Sequence, residues 1–305
     1  MKILIAGGSG FIGKALTQAW QHTHEITIIG RNKAKLMREF TSPITTGTWE
    51  ELESINAQDF DVVINLSGYN IGAARWNPKL KQKIIDSRVQ TTHVLSQWMM
   101  SQQAKPHFIS ANAVGIYGLQ ANGDLTVCDE DTSIDMTHPS DFMSEIGIRW
   151  QAALQPAVDV GIPVTVARFG VVLQKKQGML KKLAPSFYLG LGSVIGEGTQ
   201  IISWIHIDDL VGALTFLMQN RNILGPVNLC SPQPVSQAQF AKILATTLHR
   251  PLFLKLPAAV IHLLFGEMGD CLLLKGQRVL PKRLLIAGYE FRYPALASAL
   301  QHEFR

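Results

Sequence analysis

A glycine-rich turn between an apolar strand and a helix constrains this chain more than any other feature. Residues 2–6 read KILIA, and the sequence GGSGFIG follows at residues 7–13. In such a motif one glycine makes the tight turn, another lets the backbone approach a pyrophosphate, and a third lets helix and strand pack closely. The helix N-terminus also offers free N–H groups to phosphates. The sequence therefore predicts a dinucleotide site in which Gly7, Ser9 and Gly10 contact the cofactor.

The rest of the chain continues this alternation of apolar strands and helices. The predicted strands are residues 2–6, 25–29, 61–66, 107–110, 163–169 and 227–230. The predicted helices are residues 11–21, 32–40 and 78–100, with two more that begin near Asp141 and at Ser236. Alternation of this kind is typical of right-handed βαβ units. It predicts an α/β fold, a doubly wound parallel sheet of the Rossmann type, with a smaller C-terminal region.

The pattern changes after about Gly170, where glycines cluster and the alternation weakens. We expect residues 1–248 to form the cofactor-binding domain, in which residues 170–205 contribute to a substrate cleft. Residues 249–305, a segment of loops and helices rich in Leu and Pro, are expected to form a C-terminal domain. A cleft between the two parts is the expected substrate site.

Composition excludes several classes of protein. Apolar residues make up 47% of the chain and charged residues 17%, which excludes an intrinsically disordered protein. Three cysteines without a CxxC pair support neither a disulfide framework nor a structural zinc site, so no metal is expected. The net charge of +5 comes from scattered cations rather than a basic stripe, so no nucleic acid is expected. Without a membrane-spanning stretch or a secretion signal, the protein is expected to be cytoplasmic, as a monomer or homodimer.

Arg31 predicts the form of the nicotinamide cofactor. NAD-specific sites usually place a carboxylate after the second strand, where it accepts a hydrogen bond from the ribose 2′-hydroxyl. Here the second strand ends in Gly30 and Arg31, and the next acidic residue is Glu39. An arginine at this place suits a 2′-phosphate, so NADP(H) is the predicted cofactor; the alternative is that Arg31 is only an exposed cation.

Arg88 interrupts the apolar face of the long predicted helix. Leu80, Ile84, Leu95 and Met99 share one face at helical spacing, and Arg88 falls in the middle of it. A charge on a core-facing position is costly unless it is paired. Arg88 is therefore expected to meet either a ligand phosphate or a buried carboxylate.

Several segments together resemble an atypical branch of the extended short-chain dehydrogenases/reductases, described as epimerase family proteins or nucleoside-diphosphate-sugar epimerases. The segments are GGSGFIG at 7–13, NLSG at 65–68, RWN at 75–77, SRVQTT at 87–92, AVGIYG at 113–118, RFGVV at 168–172 and SWIHIDDL at 203–210. The C-terminal domain of unknown function of that branch is matched by LLFGE at 263–267, GQRVLP at 276–281 and AGY at 287–289.

The resemblance implies a cofactor shell. It places Phe11 and Ile12 at the pyrophosphate, Gly30 and Arg31 at the adenosine ribose, and Val172 near the nicotinamide. Leu66, Ser67 and Gly68 would flank the cofactor. Arg88 occupies a place where ordinary extended members carry an asparagine, and Lys83 is a further member of the group.

The sequence departs from the family at the proton relay. Ordinary members use a Tyr-x-x-x-Lys pair, in which the lysine lowers the tyrosine pKa so that the phenolate can take a hydroxyl proton. None of the five tyrosines has a lysine four residues later, and Asn112 stands where a helper hydroxyl is expected. The remaining catalytic candidates are Tyr117, which is equally well interpreted as a packed aromatic, and Asn112, which is equally well interpreted as a strand cap.

These observations predict an NADP(H)-dependent oxidoreductase or epimerase-like protein without the standard relay. Its expected partner is a small molecule, anionic or similar to a nucleotide sugar. The alternative is a non-catalytic NADP-binding sensor or interaction scaffold. Trp204, His206, Asp208 and Asp209 are weaker candidates for the cleft, since each has an ordinary structural role in such a fold.

Overall fold

The computed structural model describes residues 1–40 and 43–305. Its strands are β1 (Lys2–Ala6), β2 (Glu25–Gly30), β3 (Thr45–Thr48), β4 (Val62–Asn65), β5 (His107–Ala113), β6 (Val164–Phe169), β7 (Val171–Gln174), β8 (Ser193–Ile195), β9 (Ile201–Ile202), β10 (Trp204–His206), β11 (Gly225–Leu229), β12 (Val235–Ser236) and β13 (Leu254–Leu256). Its helices are α1 (Phe11–Trp20), α2 (Lys33–Glu39), α3 (Pro78–Ser101), α4 (Phe142–Ala152), α5 (Gln155–Asp159), α6 (Gly178–Tyr188), α7 (Ile207–Gln219), α8 (Gln237–Thr247), α9 (Ala258–Phe265), α10 (Glu267–Gly269), α11 (Lys282–Ile286) and α12 (Leu296–Phe304).

Seven parallel strands form the central sheet, in the order β11–β6–β5–β4–β1–β2–β3. Successive residues of β1 point to opposite faces, so Ile3 and Ile5 pack with α1 and α7, while Leu4 and Ala6 pack with α3. The prediction of a doubly wound parallel sheet is confirmed. The order reverses between β1 and β4, and a crevice at such a reversal is where this fold binds its ligands.

One strand of this sheet was not predicted from the sequence. β3 reads TTGT and lies at the sheet edge beside β2, with Gly47 opposite Ile29. Because an edge strand buries less of its surface, it does not need the apolar run that marks the central strands.

The C-terminal residues share a core with the residues before them. Leu296 and Leu300 of α12 lie in one buried cluster with Phe240 and Leu244 of α8 and with Trp204 of β10. Residues 249–305 are therefore joined to residues 170–248 by apolar packing. The boundary at residue 248 stays a prediction. No helix among residues 1–40 and 43–305 has the length and apolar character needed to cross a bilayer.

His107, at the start of β5, is buried within the sheet. Its Nε2 lies 2.8 Å from the Thr165 hydroxyl, and burial, with a smaller contribution from Arg221, lowers the pKa of His107 to about 4. A folded-state pKa below the unfolded value of about 6.5 means that protonation favours the unfolded chain.

We therefore expect the free energy of unfolding to fall as the pH drops from about 6.5 to 4, by up to about 3 kcal/mol from this group. Chemical denaturation at several pH values measures it. His107→Gln should flatten that part of the profile; an equally steep profile in the variant would assign the loss to other groups.

Candidate functional site

The glycine-rich turn leaves space that any side chain would fill. Gly7 has a φ of +77°, and a Cβ there would lie 2.9 Å from the Leu66 carbonyl carbon and from the Ser67 nitrogen. A Cβ on Gly13 would lie 2.4 Å from the Gly8 Cα, so Gly13 brings α1 close to the turn. Gly10 is the N-cap of α1, and no side chain caps this helix end. The first N–H groups of α1 are therefore available to an anion such as a pyrophosphate.

Arg31 follows β2 as an exposed cation. A Cβ on Gly30 would lie 3.1 Å from Leu36, so this glycine lets α2 pack against the end of β2. The next cation, Lys33, forms an ion pair with Glu51, whose Oε2 also accepts a hydrogen bond from the Thr48 N–H at 3.0 Å. Among the residues that the structure describes, no carboxylate lies within ion-pair distance of Arg31. Arg31 is thus left free for a phosphate.

Arg88 is held in a largely buried place without a counter-charge. Its Nη1 donates to the Tyr69 carbonyl at 3.1 Å and to the Ile84 carbonyl at 2.8 Å, and the guanidinium lies 5.1 Å from the centre of the Trp150 ring. Burial lowers the pKa of Arg88 to about 10. Within the described part of the chain its buried Nε has no partner, and no carboxylate forms an ion pair with it. The alternative of a buried carboxylate partner is therefore wrong.

Gly68 lies against this guanidinium, and Ser67 precedes it in the chain. A Cβ on Gly68 would come within 3.1 Å of Arg88 Cζ, so a side chain there would press on the guanidinium. The Ser67 hydroxyl is buried and has no hydrogen-bond partner among residues 1–40 and 43–305. Two polar groups that lack partners, Ser67 Oγ and Arg88 Nε, thus belong to neighbouring segments at the carboxyl end of β4. They suit the hydroxyl and phosphate groups of a dinucleotide.

Two residues that the sequence analysis did not single out hold this region in place. Asn65 Oδ1 accepts from the Ser67 N–H at 3.0 Å, and Asn65 Nδ2 donates to the Thr92 hydroxyl at 3.0 Å. The Trp150 indole N–H also donates to Thr92, at 3.2 Å. Thr92 lies one helical turn after Arg88, and that spacing is the signal that could have identified it.

Half-buried apolar side chains line the same crevice. Phe11, Ile12, Leu66 and Val172 are partly exposed and pack against the cluster that covers β1. A Cβ on Gly178 would lie 3.6 Å from the Phe11 ring and 3.4 Å from the Val172 carbonyl, so Phe11 and Val172 lie close together. This is an apolar wall of the kind that receives a flat ring.

Lys83 lies farther out. Its ammonium is exposed and lies 4.4 Å from the centre of the Tyr69 ring. Lys83 and Arg88 thus contact different parts of the same residue: the Lys83 ammonium lies over the Tyr69 ring, and Arg88 donates to the Tyr69 carbonyl.

Tyr117 and Asn112 have structural partners. The Tyr117 hydroxyl accepts from Arg168 at 2.8 Å and donates to Asn228 at 3.0 Å, and burial raises the pKa of Tyr117 to about 12. Asn112 is buried, and its amide donates to the Gly147 carbonyl at 3.0 Å. A catalytic role for either residue stays a prediction, because it would require these contacts to change.

The helix that carries the relay in ordinary family members is apolar here on its buried side. Phe142 and Ile146 of α4 are buried, and Phe142 meets Trp76 edge to face at 4.8 Å. The Lys81 ammonium lies 4.2 Å from the centre of the Phe142 ring, but it is ion-paired with Glu267 at 2.7 Å. No tyrosine–lysine pair replaces the missing relay on this helix.

The weaker candidates do not line the crevice. Trp204 is fully buried, and its indole N–H donates to the Gln233 carbonyl at 3.0 Å. Asp209 accepts from the backbone N–H groups of Arg292 and Tyr293 at 2.6 and 2.9 Å. His206 is the N-cap of α7 and contacts Glu303 of α12. These three residues therefore join the C-terminal region to the rest of the chain.

Comparison with known proteins identifies the family of this chain. A model of the NAD dependent epimerase/dehydratase family matches residues 3–230, and a domain of unknown function (DUF1731) matches residues 256–303. The chain is 38% identical to an epimerase family protein of Mycobacterium tuberculosis over 299 residues, which cover 98% of this chain and 96% of that protein.

Two solved structures are similar to this chain. The crystal structure of human epimerase family protein SDR39U1 (isoform 2) with NADPH is 33% identical, with a TM-score of 0.86, and the match covers 99% of this chain and 98% of that one. UDP-glucuronic acid 4-epimerase from Bacillus cereus, in complex with UDP-glucuronic acid and NAD, has a TM-score of 0.77. At 19% identity, over 100% of this chain and 98% of that one, this second likeness concerns the fold.

Proposed function

Since the chain belongs to the NAD dependent epimerase/dehydratase family, we propose that it is an NADP(H)-dependent oxidoreductase or epimerase-like enzyme that works without the Tyr-x-x-x-Lys relay. The observation that carries the proposal is Arg88, a largely buried cation with no counter-ion among the described residues. It lies on the side of the crevice that is formed by the glycine-rich turn. A buried charge of this kind is costly until an anion arrives. The NADPH complex of the human relative supports the same cofactor.

Different residues of this chain would bind different groups of the cofactor. The N-terminus of α1 would bind the pyrophosphate through Ser9, Gly10 and the first helical N–H groups. Arg31 would contact the 2′-phosphate, and Arg88 the phosphate or ribose groups nearest Ser67. Phe11 and Ile12 would lie at the pyrophosphate, and Val172 near the nicotinamide. When bound, NADP(H) would supply or accept a hydride.

The substrate is proposed to be a small anionic molecule, such as a nucleotide sugar or a compound of similar charge. Lys83 is exposed over Tyr69, and the Lys182 ammonium donates to the carbonyl of Gly72, three residues after Tyr69, at 2.9 Å. Neither ammonium is ion-paired within the described residues, so this rim attracts anions. The cysteines at 128, 230 and 271 are unpaired, which supports a reducing compartment such as the cytoplasm.

A non-catalytic NADP-binding sensor is the second candidate. It is favoured by the Tyr117 hydroxyl, which both donates and accepts hydrogen bonds within the protein and whose raised pKa keeps it protonated at neutral pH. A hydroxyl that stays protonated and gives its one proton to Asn228 cannot take a proton from a substrate hydroxyl unless these contacts change.

Calorimetric titration with NADPH and NADH tests the proposed cofactor. We expect NADPH to bind at least about tenfold more tightly, since a charge-assisted hydrogen bond contributes roughly 1.5–3 kcal/mol. Transfer of deuterium from 4-deuterated NADPH to metabolites of a cell extract then separates the two candidate functions. A deuterated product supports the enzyme, whereas binding without transfer supports the sensor.

We expect no measurable interconversion of UDP-glucose and UDP-galactose. The reason is that α4 presents Phe142 and Ile146 on its buried side and has no tyrosine–lysine pair, so the phenolate that takes the sugar hydroxyl proton in ordinary family members is missing from this helix. A coupled assay that detects UDP-galactose, with an ordinary UDP-galactose 4-epimerase as positive control, measures it. Robust turnover would mean that Tyr117 or Asp141 forms a relay that the present contacts do not show.

A further inference from the structure

Two histidines and an aspartate come together where the start of α7 meets α12. His206 lies at the end of β10, Asp208 in the first turn of α7, and His302 in the last turn of α12. The Asp208 carboxylate lies 3.8 Å from His206 Nδ1 and 3.9 Å from His302 Nε2. The three ligand atoms all lie within 4.8 Å of one another.

We propose that His206, Asp208 and His302 bind one zinc ion, or a similar divalent transition metal, and so tie the C-terminal helix to the start of α7. Two imidazoles and one carboxylate are a donor set that zinc favours, with water in the fourth position. Zinc–ligand bonds of about 2.0–2.2 Å in tetrahedral geometry place ligand atoms about 3.4 Å apart. The Asp208 carboxylate would therefore close by about half an ångström on each histidine, and the two imidazole nitrogens, which lie within 4.8 Å of each other, by up to about 1.4 Å. Asp208 and His302 are 40% and 44% exposed, so both have room to do so.

The buried member of the group is already oriented for coordination. His206 Nε2 lies 2.9 Å from Glu303 Oε1, so the ring donates its Nε2–H to this carboxylate and leaves the Nδ1 lone pair facing Asp208. Glu303 is fixed in turn, because its other oxygen accepts from the Lys175 N–H at the end of β7. A carboxylate behind a histidine ligand sets the tautomer and makes the ligand more basic.

Two existing contacts would change when the metal binds. The Asp208 backbone N–H approaches His206 Nδ1 at 3.2 Å, and the metal would replace this hydrogen bond. First-turn N–H groups of a helix have no partner within the helix, and solvent can serve this one because Asp208 is partly exposed. The Arg292 guanidinium lies 3.6 Å from the Asp208 carboxylate and is 69% exposed, so it can turn away into solvent.

Metal analysis of the full-length protein tests the proposal. We expect dialysis against zinc, followed by removal of free metal, to leave one zinc per chain in the wild type and to raise its melting temperature. His302→Ala should lose this zinc and the rise in melting temperature. Glu303→Gln should weaken zinc binding about 10- to 100-fold, since it removes only the group that orients His206.

His138→Ala is the matched control, because His138 also pairs with an aspartate, Asp135 at 3.0 Å, but offers no third ligand. It should retain the zinc. If the wild type holds no more zinc per chain than His302→Ala does, or if His302→Ala retains the zinc, the proposal is wrong. Should His302→Ala fail to fold, Asp208→Asn and X-ray absorption at the zinc edge of the wild type decide: nitrogen and oxygen ligands with imidazole scattering support the site, and sulfur ligands overturn it.

Discussion

Replacing Arg88 by methionine is expected to lower the affinity for NADPH by about ten- to a hundred-fold, while the melting temperature of the free protein stays the same or rises. The loss of affinity follows from removing a charged donor, whose hydrogen bond contributes roughly 1.5–3 kcal/mol. The stability is expected to hold because Arg88 has no counter-ion to leave unpaired within the described residues. Methionine extends the apolar face formed by Ile84 and Leu95.

Losing the hydrogen bonds from Arg88 to backbone carbonyls is expected to change the stability of the free protein little. The Ile84 carbonyl lies inside α3, and the Tyr69 carbonyl belongs to a half-exposed residue that water can reach. NADPH titration alongside thermal unfolding measures both quantities.

Arg168→Met is the matched comparison. Arg168 is also buried and has no ion pair among the described residues, but it donates to two side chains, the Tyr117 hydroxyl and the Gln151 amide oxygen, so its removal loses two side-chain hydrogen bonds in the core. We expect this variant to unfold at a lower temperature and, where folded, to bind NADPH nearly as the wild type does. A wild-type affinity in Arg88→Met together with a lower melting temperature would show that Arg88 stabilises the fold rather than the ligand.

The elements that would hold the cofactor could be placed from the sequence because their determinants are local. The turn at residues 7–13, the end of β2 at Gly30 and the face of α3 around Arg88 each lie within one element or one junction. A parallel sheet then brings the carboxyl ends of its strands to one edge. Local patterns are therefore enough to predict that these residues, although far apart in sequence, lie near one another. β3 could not be predicted in the same way, because its sequence, TTGT, lacks the apolar run of a central strand.

The substrate half depends on contacts between residues far apart in sequence. Nothing near Tyr117 indicates that its hydroxyl meets Asn228 and Arg168, and nothing near His206 indicates Glu303. Lys33 is a similar case, since only the fold brings Glu51 against it. Sequence patterns record which face of an element is buried, but they do not record which partner is buried against it.

Replacing Arg31 by aspartate is expected to reverse the cofactor preference. In the proposed complex the wild-type cation would contact the 2′-phosphate, and its loss would remove roughly 1.5–3 kcal/mol of charge-assisted hydrogen bonding, or about ten- to a hundred-fold in affinity for NADPH. The new carboxylate adds repulsion of the phosphate, and it can accept a hydrogen bond from a free 2′-hydroxyl. NADH should therefore bind more tightly to Arg31→Asp than NADPH does.

The ion pair between Lys33 and Glu51 leaves Arg31 as the cation expected to select the cofactor. Because Lys33 is paired with Glu51, which also accepts from the Thr48 N–H, it contributes less charge toward the ribose than its place in the sequence indicates. Lys33→Ala is thus the matched control: it should change NADPH affinity by less than about threefold and, as an exposed contribution, should lose that effect at high salt. Calorimetry with both cofactors measures the wild type and both variants. If Arg31→Asp still prefers NADPH, or if Lys33→Ala costs more affinity than Arg31→Asp, then Arg31 does not select the cofactor and Lys33 must leave Glu51 to bind the phosphate.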